Sequence, residues 1–204
     1  MSRAADVMNM PDKWREIHAN TLIVDGLDCS VPTPHYAEML DEVGVNCMHL
    51  TIEDMDGRGG LYPFERIFRL LDEPDCRFRL ARSAVEIERA ATDGKIALVF
   101  GRQASDPLNV AHDNLRCYYE LGLRVSGIAY NLSNRFGGGC LTPNVPLSED
   151  GIALVKEANR LGILLDVGGH TGERTSLEVI ERADGRPVVC THCGAAGRRV
   201  WDPK

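Results

Sequence analysis

The feature that most constrains the fold of this chain is a regular alternation of apolar runs and amphipathic segments. Each apolar run is nearly continuous, which is typical of parallel strands buried on both faces. The segments between them carry helix signals, such as Ser83 with Glu86 at capping-box spacing, and a stretch from Ser148 to Gly162. Six β/α units in tandem predict an α/β fold with a parallel sheet. The six predicted strands are residues 21–26, 44–52, 95–101, 124–131, 162–168 and 186–192.

Two architectures fit this order of elements, an open doubly wound sheet and a (β/α)₈ barrel. A barrel usually needs about 250 residues, with about 200 as its lower limit. The chain has 204 residues, so we expect one domain over residues 1–204, either an open sheet or a barrel that lacks two units. Two long loops, residues 53–62 and 132–147, follow strand ends, where α/β enzymes place their functional groups.

Charge and composition exclude several classes of partner. The formal net charge is −7, which argues against nucleic acid or an anionic membrane as the main partner. No apolar run is long enough to cross a bilayer, and residues 1–20 lack the apolar core of a signal peptide. The seven cysteines are scattered, which favours reduced thiols and a cytoplasmic protein. We interpret the C-x-x-C at residues 190–193 as strand-end packing, because a zinc ribbon needs a second pair.

Two histidines follow the last two predicted strands. His170 comes after "LLDVGG" and His192 ends "RPVVCTH". Side chains at the carboxyl ends of neighbouring parallel strands, about 4.8 Å apart, can converge on one zinc ion. The alternative is that each is an ordinary hydrogen-bonded histidine near a strand end. Asp166, at the end of the fifth strand, is placed either to orient a ligating histidine or to make a structural hydrogen bond.

A long stretch of the sequence resembles the renal (membrane) dipeptidase family of zinc metallopeptidases. The resemblance covers essentially the whole chain and is strongest from Leu115 to Gly197, including "ELGLRVSGIAYNLSN" and "GERTSLEVIERADGRPVVCTH". It implies a (β/α)₈ barrel similar to that of the amidohydrolases. It also implies a hydrolase that cleaves dipeptides or small amides with metal-activated water.

The resemblance assigns a metal set to this chain in part. It implies that His170 and His192 bind one zinc of what is a two-zinc centre in the family. Gln103 stands where the family has a glutamate that bridges the two metals. A neutral amide is a weak ligand in that position, so we expect one zinc ion held by His170, His192 and Gln103.

Other family positions are also altered. Leu27 and Cys29 replace the histidine and aspartate of the first strand, with Asp28 between them. Leucine cannot bind a metal, and Cys29 is interpreted as a buried structural cysteine. Tyr130 replaces a histidine that contacts substrate, so Tyr130 and its neighbour Asn131 are the predicted substrate-binding residues. None of the remaining positions identifies a catalytic residue.

The family barrel continues beyond the point where this chain stops, at Lys204. We therefore expect a partial barrel with about six of the eight units. The open edges of its first and sixth strands favour self-association, so a homo-oligomer is one expectation. The first functional hypothesis is a metallodipeptidase that acts on small peptides or amides. The second is a catalytically inactive barrel remnant that serves as a binding or interaction module. A phosphate-binding barrel enzyme is a third, and it rests only on "FGGGC" at residues 137–140.

Overall fold

The computed structural model describes residues 11–52, 61–108 and 114–194 of the chain. It contains two compact units: residues 1–101 with 120–124, and residues 102–119 with 125–204. The single domain expected over residues 1–204 stays a prediction. Most of the predicted loop at 53–62 lies outside the described residues, as do both chain ends.

Helices and strands alternate along the described chain. The helices are α1 (Asp12–Ala19), α2 (Pro34–Glu42), α3 (Tyr62–Leu71), α4 (Ala84–Thr92), α5 (Leu115–Leu121), α6 (Glu149–Leu161) and α7 (Glu173–Arg182). The strands are β1 (Val24–Asp28), β2 (Cys47–Thr51), β3 (Phe78–Leu80), β4 (Ile96–Arg102), β5 (Leu123–Gly127), β6 (Leu164–Asp166) and β7 (Val188–Val189). No helix among the described residues is long and apolar enough to cross a membrane.

In the first unit, β2 pairs in parallel with both β1 and β4, and β3 pairs in parallel with β4. The ladder between β1 and β2 is irregular between Asp25 and Asp28, where β1 contains one more residue than its partner. Such a bulge changes the direction of the side chains that follow it. A core of small side chains lets the helices approach the sheet, and it consists of Cys47, Ala81, Ala90 and Ala97, with Ile87 and Val99 packed against it.

In the second unit, β6 lies between β5 and β7 and is parallel to both. Leu165 pairs with Ser126 on one side and with Val188 on the other. Helices α6 and α7 contribute fully buried side chains, including Leu154, Val155, Ala158 and Val179. Because the three strands are parallel, their carboxyl ends lie at one edge of the sheet, and the residues that follow them are brought together there.

The predicted α/β class with parallel strands is confirmed, since a strand lies within or across each of the six predicted runs. The last two strands are shorter than predicted, because the chain turns away to form loops at Val167 and Cys190. The short strand β3 was not predicted, since its three residues include the charged Arg79 and have no apolar run around them. The helix starts at Ser83 and Ser148 are confirmed, as each hydroxyl accepts a backbone N–H bond three residues ahead.

Candidate metal centre

The loops after β5, β6 and β7 assemble a polar site within the second unit. Asp166 is the last residue of β6 and only 2% exposed. Its Oδ1 accepts hydrogen bonds from the backbone N–H groups of Gly168 (2.9 Å) and Thr191 (3.3 Å). Its Oδ2 accepts a short hydrogen bond from the hydroxyl of Thr191. The buried carboxylate therefore ties the loop after β6 to the loop after β7.

The hydroxyl of Thr191 connects Asp166 to His192 by hydrogen bonds. The hydroxyl of Thr191 has one proton, which it donates to the carboxylate, so its oxygen is left to accept. It lies 2.7 Å from Nδ1 of His192 and therefore accepts the Nδ1–H bond. The carboxylate itself is 3.8 Å from that nitrogen. With its proton on Nδ1, His192 presents a lone pair at Nε2, the form in which histidine binds metals.

The Nε2 atom of His192 is buried and has no hydrogen-bond partner in the described part of the chain. Buried polar atoms are nearly always hydrogen-bonded, so such an atom calls for an explanation. An acceptor nitrogen held in a fixed orientation and left without a donor is suited to binding a cation. His192 is therefore the strongest candidate for a metal ligand in the site.

His170 lies beside His192 and is oriented in a similar way. Its Nδ1 is 3.2 Å from Oδ1 of Asn131, which can only accept, so the proton of the ring is again on Nδ1. Its ring stacks on Tyr130 with centroids 3.6 Å apart, and its centroid is 5.3 Å from that of His192. Burial, and then the charge that His192 would carry, lower the pKa of His170, against an opposing effect of Asp166. His170 is therefore a neutral imidazole at neutral pH.

The glycines at 168 and 169 make room for the groups of the site. A Cβ atom on Gly169 would lie 2.0 Å from Nε2 of His192, and Gly169 has a positive φ of 66°. A Cβ atom on Gly168 would lie 2.6 Å from the sulfur of Cys190. Both positions therefore require glycine, because any side chain would displace the loop after β7.

Gln103 directly follows β4 and is also in the second unit. It is 8% exposed, and its backbone carbonyl lies against Gly127, the last residue of β5. Among the residues that the structure describes, no three His, Cys, Asp or Glu side chains form a group that could hold a metal ion. The two histidines are thus a pair without a carboxylate or thiolate as third ligand in the described chain.

The first-strand positions belong to the first unit and have local partners. Asp28 is 5% exposed and accepts hydrogen bonds from the hydroxyl of Tyr36 (2.5 Å) and the backbone of Ser30 (2.6 Å). Cys29 is exposed, with its sulfur 3.8 Å from the hydroxyl of Thr51. The interpretation of Cys29 as a buried cysteine is therefore wrong, since β1 ends one residue before it.

Sequence reasoning missed three contributors to this site. Thr191 is an ordinary threonine in a strand-like run, and nothing in the sequence distinguishes it. The doublet Gly168–Gly169 before His170 is a detectable signal, since adjacent glycines beside a predicted ligand suggest a close approach of another group. The cysteines at 190 and 193 were interpreted as packing, and this is wrong because the structure joins them in a disulfide.

The comparisons with known proteins agree on the class of fold. The structure matches an amidohydrolase from Pseudomonas aeruginosa with a TM-score of 0.79 and 26% identity, over 85% of this chain and 53% of that chain. It also matches the probable dipeptidase PvdM from Pseudomonas aeruginosa, with a TM-score of 0.66 and 18% identity, over 92% of this chain and 55% of that one. The fold is thus of the partial (β/α)₈-barrel type, as predicted.

The family follows from the sequence. Residues 53–200 match the family model of the membrane dipeptidases, peptidase family M19, and the chain belongs to this family. A dipeptidase, verJ, of Clonostachys rogersoniana is 27% identical over 142 residues, which are 68% of this chain and 36% of that protein. The chain therefore spans well under two thirds of the length of these relatives. The predicted resemblance is confirmed.

Proposed function

We propose that this chain is a dipeptidase-type hydrolase whose surviving histidine pair binds a single divalent metal ion. The observation that carries the proposal is the buried Nε2 of His192, which has no partner in the described chain and is 2.0 Å from the Cβ position that Gly169 leaves empty. Zinc is the expected ion, because imidazole ligands suit it and a solved member of peptidase family M19 is a metallopeptidase. Gln103 would be a weak third ligand.

The donor set fits one ion and does not fit two. The Nδ1 proton of His170 is directed to Asn131, and that of His192 is directed to Thr191. Both Nε2 atoms therefore carry a lone pair that can bind a metal, on rings whose centroids are 5.3 Å apart. A second ion needs the histidine and the two carboxylates that the family supplies, and those positions are Leu27, Cys29 and Gln103 here. Two cations without bridging negative charge would repel each other.

The remaining residues would position the substrate. A zinc ion held by His170 and His192 would polarise an amide carbonyl and lower the pKa of its bound water to near neutrality. Asn131 uses its oxygen on His170, so its amide nitrogen is the group that can donate to a substrate carbonyl. Tyr130 is 39% exposed and covers one face of His170, which leaves part of its side chain accessible to a small peptide.

Turnover of dipeptides tests the proposal. The protein, loaded with zinc or cobalt, is assayed on a panel of dipeptides and small amides, beside the double variant His170→Ala, His192→Ala. The control is His35→Ala, an exposed histidine on α2 paired with Glu38. We expect metal-dependent hydrolysis in the wild type and in the control, and none in the double variant. Hydrolysis that survives in the double variant contradicts the proposal.

A second function rests on a separate observation, the absence of any three-residue acidic, thiol or imidazole group in the described chain that could hold a metal. A dipeptidase fold with so few ligands could serve as a binding or interaction module. Restoring the carboxylate with Gln103→Glu separates the two functions. A gain in turnover supports a weak enzyme, whereas metal binding without turnover in either protein supports the binding module.

A further inference from the structure

The loop after β7 contains a feature that hydrolysis does not use. Cys190 and Cys193 are joined in a disulfide and enclose Thr191 and His192 in a four-residue ring. Both cysteines are exposed to solvent. The pair therefore brackets the histidine at the centre of the candidate site, and it is accessible to small molecules.

The two ends of this ring are held differently. On the amino-terminal side, the sulfur of Cys190 rests against Gly168, and Thr191 is hydrogen-bonded to the buried Asp166. On the carboxyl-terminal side, Cys193 and Gly194 are both exposed, and a Cβ atom on Gly194 would meet nothing within 4 Å. The disulfide is thus the covalent restraint that connects the exposed side of His192 to the anchored side.

We propose that Cys190 and Cys193 form a redox-active disulfide whose state controls how firmly His192 is held. The inference deepens the proposed function, since it assigns a regulation to the proposed metal ligand. In the oxidised form, the closed ring limits the backbone conformations available to His192. In the reduced form the ring is open, so within the described chain His192 is held by its bond to Thr191 and by its packing against Gly169, and its Nε2 samples positions away from His170.

The chemistry needs a low-molecular-weight thiol, such as glutathione, as the reductant. A thiolate of that reductant attacks one sulfur of the disulfide, forms a mixed disulfide and releases the other cysteine as a thiolate. A second thiol attacks the mixed disulfide and frees the first cysteine. The protein gains two electrons and two protons, and the two small thiols leave joined as a disulfide. Oxidation by the small-molecule disulfide reverses each step.

The test first follows the metal-free protein, so that its result is independent of metal binding and hydrolysis. Imidazole resonances of His192 are recorded by NMR in buffers of oxidised and reduced glutathione, and the mass of the alkylated protein gives the state of the cysteines. The controls are the double variant Cys190→Ser, Cys193→Ser and the exposed-cysteine variant Cys117→Ser. We expect reversible reduction that shifts the His192 resonances in wild type and in Cys117→Ser. The double variant should resemble the reduced wild type in both buffers.

A second measurement reads the consequence for the site. Cobalt titration should show about tenfold weaker binding in the reduced protein than in the oxidised one. The proposal is overturned if Cys190 and Cys193 stay reduced in oxidised glutathione. It is also overturned if the His192 resonances do not change with the redox state. A sulfur-to-cobalt charge-transfer band in the reduced protein also overturns it, because the thiols would then be ligands themselves. If neither redox state binds cobalt but the NMR shift is present, the metal proposal is contradicted and the redox coupling is supported.

Discussion

Two strands of this protein, β1 and β6, each end in a buried aspartate, and the two carboxylates have different roles. Asp28 ends β1, and its hydrogen bonds come from Tyr36 and Ser30. Asp166 ends β6, and its bond to Thr191 continues to His192. We call the first arrangement closed, since both carboxylate oxygens of Asp28 accept hydrogen bonds from these neighbouring residues. The second ends at a nitrogen without a partner in the described chain. A buried carboxylate indicates function when its hydrogen bonds orient an atom that is still able to bind.

The largest effect is expected for the carboxylate that orients His192. Asp166→Asn removes the charge that accepts three hydrogen bonds and should lower the free energy of unfolding by about 3 kcal/mol. It should also abolish metal binding. The matched control is Asp150→Asn in the same unit, where the carboxylate forms an exposed ion pair with Arg135 at 2.5 Å. This control substitution should lower the free energy of unfolding by less than about 1 kcal/mol. Equal losses in urea denaturation of the two variants would remove the distinction between the two aspartates.

The next effect concerns the glycine beneath the histidine. Gly169→Ala introduces a Cβ atom 2.0 Å from Nε2 of His192 at a φ of 66°. Gly185→Ala has the same backbone strain, with a φ of 73°, and nothing within 4 Å of the new atom. Backbone strain should lower the free energy of unfolding of both variants by about 1 kcal/mol. In Gly169→Ala alone, overpacking should lower the free energy of unfolding by roughly a further 1–3 kcal/mol. This variant should also lose metal binding. Retention of metal by Gly169→Ala would contradict the placement of His192.

A smaller effect is expected for the link between Asp166 and His192. Thr191→Val keeps the shape of the side chain and removes the hydroxyl, so Nδ1 of His192 loses its acceptor. Removing such an outer partner typically weakens metal binding about 10- to 100-fold. Thr191→Ser keeps the hydroxyl and should restore most of the affinity, as measured by calorimetric titration. If Val and Ser variants bind equally well, the hydroxyl does not orient the ring.

The smallest effect is expected at the closed aspartate. Tyr36→Phe removes the hydroxyl that donates to Asp28 and should lower the free energy of unfolding by roughly 1–2 kcal/mol. Burial and the Asp28 carboxylate raise the pKa of Tyr36, and in the Asp28→Asn variant that pKa should fall. Metal affinity should be unchanged in both variants. A loss of metal in either one would show that the first-strand end belongs to the site.

The sequence predicts the fold better than the details of the site. The strands from residues 47 to 51 and 96 to 102 are mostly apolar and almost entirely buried, which is typical of parallel strands covered on both faces. His170 and His192 were predicted at strand ends, and parallel pairing brings them together. The part played by Thr191 depends on a hydroxyl proton and two distances, and neither has a sequence pattern. Gln103 remains a prediction as a metal ligand.

The measurement that tests the central claim most directly is the zinc content and zinc affinity of the purified protein. Wild type is compared with the double variant His170→Ala, His192→Ala after removal of metal with a chelator and addition of zinc. We expect one ion per chain in the wild type and in His35→Ala, and none in the double variant. No zinc in the wild type, or equal zinc in the double variant, would contradict the claim that the unpartnered nitrogen of His192 is a metal ligand.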